Sequence, residues 1–102
     1  MRALPKDYKW HDTSFHGTVI ITTPNKLIGV ADKLGAKYYD QNDGRDKTNF
    51  DFEFLTDEGD VFTVYDWKEY RPLGMDEWTE FHIGAIDKRI SDQGAYELKQ
   101  LL

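Results

Sequence analysis

Phe50, Phe52 and Phe54 alternate with Asp51 and Glu53, and that two-residue period constrains the fold more than any other feature of the chain. Side chains on a strand point to opposite faces in turn, so the alternation predicts a strand with one buried aromatic face and one polar face. Thr56-Asp57-Glu58-Gly59 reads as a turn, and Val61 to Trp67 as the returning strand. Phe62 and Val64 would share the phenylalanine core. Val61, Thr63, Tyr65 and Trp67 would line the opposite face.

The rest of the chain is read around this hairpin. Phe15 to Thr22 is rich in β-branched residues and predicts a first strand. Thr23-Pro24 is a helix start, Leu27, Ile28, Ala31 and Leu34 follow at helical spacing, and Gly35 is a stop. Lys37 to Thr48 is polar and reads as a loop, as does Lys68 to Asp76. Trp78 to Ile83 predicts a third strand of the meander, ended by Gly84, with Glu80 and His82 facing away from Phe81 and Ile83. Ser91 is expected to cap a last helix whose apolar side is Ala95, Leu98, Leu101 and Leu102. The expected fold is one α+β domain over 1–102, ordered β-α-β-β-β-α. Its antiparallel sheet has two helices on one face, and 1–13 is an arm or lead-in loop. Such packing leaves the Tyr65, Trp67 and His82 face partly open.

Composition narrows the function. The 102 residues are 39% hydrophobic but 15% aromatic, which suits a folded domain with a ring-rich core. There is no cysteine, so disulfides, thiolate nucleophiles and cysteine zinc sites are excluded, in keeping with a reducing cytoplasm. The N-terminal residues lack the apolar run of a signal peptide, and Val19 to Ile21 is too short to span a membrane. A soluble cytoplasmic protein without a membrane partner is expected. The net charge of −6 lacks the basic footprint that duplex nucleic acid requires.

Three constellations could carry chemistry. His11, Asp12 and His16 are metal-ligand types, but their spacing fits no established site and they read as polar surface residues. His82 near Glu80, Asp66 or Glu69 could serve as a general base, although no nucleophile motif or cofactor fingerprint accompanies it. No cofactor is expected. The third is a ligand face: Tyr65, Trp67, Tyr70, Trp78 and His82 gather on the later strands and their connecting loop. Lys68, Arg71, Lys88 and Arg89 lie near them in sequence, and Arg45 and Lys47 belong to the earlier loop. Rings stack on bases while Lys and Arg neutralise phosphates, so this pairing suits a small anionic nucleotide. The same rings would also serve as second-face packing or an oligomer contact.

Between Lys33 and Ala85 the chain resembles a widespread family of small phage proteins. The family pattern runs from a K-L-G step through D-x-K-x-x-x-x-F/W to a D-G hairpin, a T-I-Y-D/N-W/Y-K strand and W-H-I-G-G before a final helix. Here it is matched by Lys33-Leu34-Gly35, Asp46-Lys47, Asp57 to Gly59, Thr63 to Lys68 and Phe81 to Ala85, with Phe81 and Ala85 as departures. The family is identified with the viral sponges that counter CBASS immunity. The resemblance implies an inert receptor that sequesters a cyclic dinucleotide such as 3′,3′-cGAMP without cleaving it, in a homo-oligomer. Lys47, Tyr65, Trp67, Lys68 and His82 are then the foremost ligand-binding candidates, followed by Tyr70, Arg71 and Trp78. The alternative is an acidic phage protein that inhibits a host protein by direct binding or nucleic-acid mimicry, through Asp51, Glu53, Asp57, Glu58 and Asp60.

Overall fold

The computed structural model describes residues 1–8 and 12–102. Seven elements follow in the order β1 (Ser14–Thr22), α1 (Pro24–Leu34), β2 (Tyr38–Tyr39), β3 (Asp51–Leu55), β4 (Val61–Tyr65), β5 (Thr79–Ala85) and α2 (Lys88–Leu101). The strands form one antiparallel sheet in the order β1-β5-β4-β3-β2. This is the α+β fold that the alternation and helical spacing predict.

The core lies on one face of the sheet. Phe52, Phe54, Phe62, Val64, Phe81 and Ile83 are fully buried there against Leu27, Val30 and Ala31 of α1 and Ile90, Ala95 and Leu98 of α2. Both helices therefore cover the phenylalanine face. Thr23 caps α1, its hydroxyl accepting from the Lys26 N–H at 3.2 Å, with Pro24 in the first turn and Gly35 closing the helix in the left-handed region.

Four local expectations are corrected. The cap of α2 is Asp87, whose carboxylate accepts from the Ile90 N–H at 2.9 Å. Ser91 is one turn inside the helix and fully buried. Ile90 must reach the core, which draws the helix start upstream to the nearest residue able to cap it. Within the stretch read as a loop, Tyr38 and Tyr39 form β2, paired with Phe52 and Asp51. Two residues are too few for a period, and the pairing is set by β3 and by the Tyr38 ring stacked on Phe52 at 5.2 Å. The third strand begins at Thr79 and runs through Gly84 to Ala85, because β1 pairs with it as far as Ser14↔Ala85. The returning strand ends at Tyr65, two residues before Trp67, where the chain turns toward the preceding loop.

The second face is only partly open. Leu55, Val61 and Thr63 are buried on it. The N-terminal segment accounts for part of this cover. Arg2 exchanges backbone hydrogen bonds with Leu55, at 2.9 and 2.8 Å, and the Thr13 hydroxyl approaches that of Thr63 at 3.5 Å. Residues 9–11 of the expected arm lie outside the described residues.

Gly94 of α2 is required where the helix crosses the sheet. A Cβ there would meet atoms of the buried Phe62 ring at 2.7, 2.8 and 2.9 Å. Overpacking a core costs about 1–3 kcal/mol, offset in part by the better helix propensity of alanine. Gly94→Ala is expected to lower the thermal midpoint by several degrees in a melting experiment, whereas an exposed helical site such as Gly29, where nothing lies within 4 Å of an added Cβ, should tolerate alanine.

Candidate functional site

The residues that lead out of β3 and β4 are tied together by one buried carboxylate. Asp66, fully buried, accepts from the backbone N–H groups of Asn49 and Phe50, both at 2.8 Å, and from the Asn49 side-chain amide at 3.0 Å. That amide donates its other hydrogen to the Arg71 carbonyl at 2.9 Å, and its oxygen accepts from the Gly44 N–H at 2.9 Å. Asn49 thus has its donors and its acceptor satisfied, which is how a buried polar group avoids its desolvation penalty. At Gly44 the two loops approach closely. An added Cβ would lie 2.6 Å from the Arg71 Cα, and its φ of 74° is itself unfavourable to other residues.

This clamp sets the position of the foremost candidates. The Lys68 N–H donates to the Lys47 carbonyl at 2.7 Å, so the two lysines start from adjacent backbone. Their ammonium groups sit 5.9 Å (Lys47) and 5.3 Å (Lys68) from the centre of the Trp67 ring. Trp67 is 41% exposed, and Tyr65 meets it edge-on at 6.0 Å. His82 lies edge-on to Tyr65 at 5.5 Å and stacks on Phe15 at 4.0 Å. Lys68 and Tyr70 both hold left-handed backbone, with φ of 55° and 51°. Such conformations cost roughly 1–2 kcal/mol per non-glycine residue and persist where the surroundings impose them.

The structure therefore brings together Lys47, Tyr65, Trp67, Lys68 and His82. It does not bring Trp78 to them. That ring, 62% exposed, lies beneath the Lys26 ammonium at 4.6 Å and lines a separate groove along β1 with Ile21 and Lys99. Arg71 is engaged by Glu77, to which both its terminal nitrogens donate. That pairing, followed by the Gly74 N–H, pulls the Glu77 carboxyl down to about 2. Tyr70 is exposed at the rim of the loop.

The wider set of sequence candidates also separates. Asp66, a possible partner for His82, is committed to Asn49 and Phe50, and among the described residues no carboxylate hydrogen-bonds His82. His11 lies outside the described residues, and among those described no group of three or more potential metal-binding side chains converges. His16 instead meets the Ala85 carbonyl at 3.1 Å. No described helix is long and apolar enough to cross a membrane. The acidic run is divided, since Glu58 and Asp60 face Arg89 at 3.9 and 4.0 Å while Asp51 turns into the sheet's second face.

Asp51 is a functional candidate that the sequence places only in that acidic run. It sits on β3 directly opposite Tyr65, and with Thr13, Thr48, Thr63, Tyr65 and Trp67 it lines a cavity of about 300 Å³. Its Oδ1 is buried with no hydrogen-bond partner among the described residues. Burial, and then the charges of Glu53 and Asp66, push its carboxyl up from 3.8 to about 7. Burial, followed by the Asp51 charge, also raises the Tyr65 phenol above its ordinary value. The signal was present in the alternation, which puts Asp51 on the same face as Tyr65. No family model matches the chain, nor does any curated protein or solved structure.

The contrast between the two carboxylates has measurable outcomes. Asp66→Ala orphans the buried donors of Asn49 and Phe50 at about 1–3 kcal/mol each, so chemical denaturation should show a loss on the order of 3 kcal/mol or more. Asp51 behaves oppositely. Its folded pKa of about 7 exceeds the reference value of 3.8, so the native state binds its proton more tightly. The resulting stability is fully present below the reference value and lost as pH rises through about 7. Asp51→Asn should therefore raise the melting midpoint at pH 8 by the equivalent of a few kcal/mol at most, at about 1.4 kcal/mol for each tenfold change in proton affinity. In acid, near the reference value, it should change little.

Proposed function

We propose that this protein is a phage immune-evasion protein that captures a cyclic dinucleotide defence signal such as 3′,3′-cGAMP and holds it without cleaving it. The observation that carries the reading is the pair of lysine ammonium groups flanking the partly exposed Trp67 ring, beside Tyr65 and His82. An indole platform takes a nucleobase on its face, while lysines at its edge neutralise phosphate. Capture needs local positive charge only, so it is compatible with a net charge of −6. Resemblance to the sponge family in the Thr63 to Lys68 and Phe81 to Ala85 blocks adds support, because those blocks contain Tyr65, Trp67, Lys68 and His82.

The cavity beside Trp67, at about 300 Å³, is at the small end of ligand pockets and suits one nucleobase. Nanomolar capture requires about −12 kcal/mol. Stacking contributes about 1–3 kcal/mol per base, so the second half of the ligand needs a further wall. A second copy of the chain supplies it in this reading, and the working form is a homo-oligomer.

The test is a melting screen with cyclic di- and trinucleotides, followed by heating the complex and analysing the released nucleotide. A ligand at about 100 times its dissociation constant should add ~2.7 kcal/mol, a shift of several degrees. The nucleotide should return intact. Trp67→Ala should weaken binding by roughly 10- to 100-fold, and Lys47→Ala or Lys68→Ala should reduce its salt dependence. Hydrolysed nucleotide would replace capture with catalysis. No shift with any nucleotide would leave the acidic host-protein inhibitor as the better account.

A further inference from the structure

We infer that Asp51 reads the base, its carboxylate accepting the two adjacent donors on the Watson–Crick edge of guanine, so that the captured nucleotide contains guanine. This rests on the nucleotide reading of the same site and adds to it the identity of the bound base.

One of the residues that line the cavity carries a buried, unsatisfied oxygen. Asp66 and Asp51 lie close enough for the charge of one to act on the other, yet Asp66 is fully hydrogen-bonded while the Asp51 Oδ1 is buried with no partner among the described residues. A buried carboxylate oxygen without donors is among the least favourable groups a fold can carry. Thr13, Thr48 and Thr63 line the same cavity, yet among the described residues none of their hydroxyls hydrogen-bonds the Asp51 Oδ1. Among the described residues no cation pairs with it either. On β3 it faces Glu53, across β4 it feels Asp66 and Tyr65, and Lys37, Tyr38 and Tyr39 border its β2 side. The lysines at Trp67 complete the charged groups of this face.

The site is thereby polarised. Lys47 and Lys68 at the indole attract phosphate, whereas Asp51 in the cavity repels it and selects hydrogen-bond donors. A nucleotide stacked on Trp67 with its phosphates toward the lysines would turn its base edge toward Asp51. Guanine offers N1–H and N2–H side by side, matching the two oxygens of one carboxylate. Adenine offers one donor beside the N1 acceptor, which would face a carboxylate oxygen. Cytosine and uracil likewise lack an adjacent donor pair. The terminal torsion of an aspartate is soft, so both oxygens can turn to the incoming edge. Bidentate recognition of this kind discriminates by on the order of 10- to 100-fold.

The experiment is calorimetric titration of the full chain and of Asp51→Asn with 3′,3′-cyclic di-GMP and 3′,3′-cyclic di-AMP at pH 6, 7 and 8. The native chain should bind cyclic di-GMP roughly 10- to 100-fold more tightly. That affinity should weaken toward pH 6, approaching about tenfold per pH unit once Asp51 is protonated. Asn presents one acceptor and one donor, the complement of adenine. Asp51→Asn should therefore lose the guanine preference and the pH dependence while retaining cyclic di-AMP binding. Its folding is checked by its melting midpoint. Equal binding of the two nucleotides by the native chain, or an unchanged preference in Asp51→Asn, overturns base reading and leaves nucleotide capture standing. Failure of both nucleotides to bind overturns base reading, and nucleotide capture falls with it when the wider melting screen also shows no shift.

Discussion

Asp66 is the group on which the arrangement of the candidate site depends. It sits just past the end of β4, and its three hydrogen bonds reach Asn49 and Phe50, immediately before β3. The segment before β3 and the segment after β4 would otherwise diverge, because a hairpin constrains its open end only through the ladder. Through Asn49 the same clamp extends to Gly44 and to the Arg71 carbonyl, so both loops share one anchor. Trp67 and Lys68 follow Asp66 immediately in the chain, and Lys47 precedes Asn49 by two residues. A lysine pair flanking an indole is thus held by backbone geometry.

The two aspartates on this hairpin illustrate opposite uses of burial. Asp66 is surrounded by donors and stabilises the fold. Asp51 is half-buried, with a tyrosine, a tryptophan and threonines on one side, and burial is the first cause that disfavours its charge. Left-handed backbone at Lys68 and Tyr70 adds a second local cost in the same region. Residues held in sparsely populated conformations or with unsatisfied polar atoms persist only where the surrounding structure imposes them. The helix-covered face is built differently, from stacked phenylalanines and aliphatic side chains whose burial stabilises the fold directly.

The two-residue period of Phe50, Phe52 and Phe54 and the Thr23-Pro24 start were legible because each depends on local rules. Side-chain alternation follows from strand geometry, and a threonine cap before a helical proline follows from the unsatisfied N–H groups of a first turn. β2 was not legible, since two tyrosines become a strand only when β3 is alongside. Asp87 and Ser91 are both good capping residues, and only the need to bury Ile90 decides between them. Arg71 and Trp78 share the composition of the candidate face but are drawn elsewhere, by Glu77 and by Lys26.

The sequence by itself determined the fold class, the buried aromatic face and the placing of Tyr65 and His82 on the opposite face, because periodicity and strand parity assign faces without knowledge of distant partners. Only the tertiary structure decided which candidates meet. Residues 47 and 68 are separated by the whole hairpin, and their proximity rests on antiparallel pairing and the Asp66 clamp. It also decided the state of Asp51. A carboxylate's charge depends on the burial and charges around it, and for Asp51 these include Thr13, Thr63, Tyr65 and Asp66, all distant in the chain.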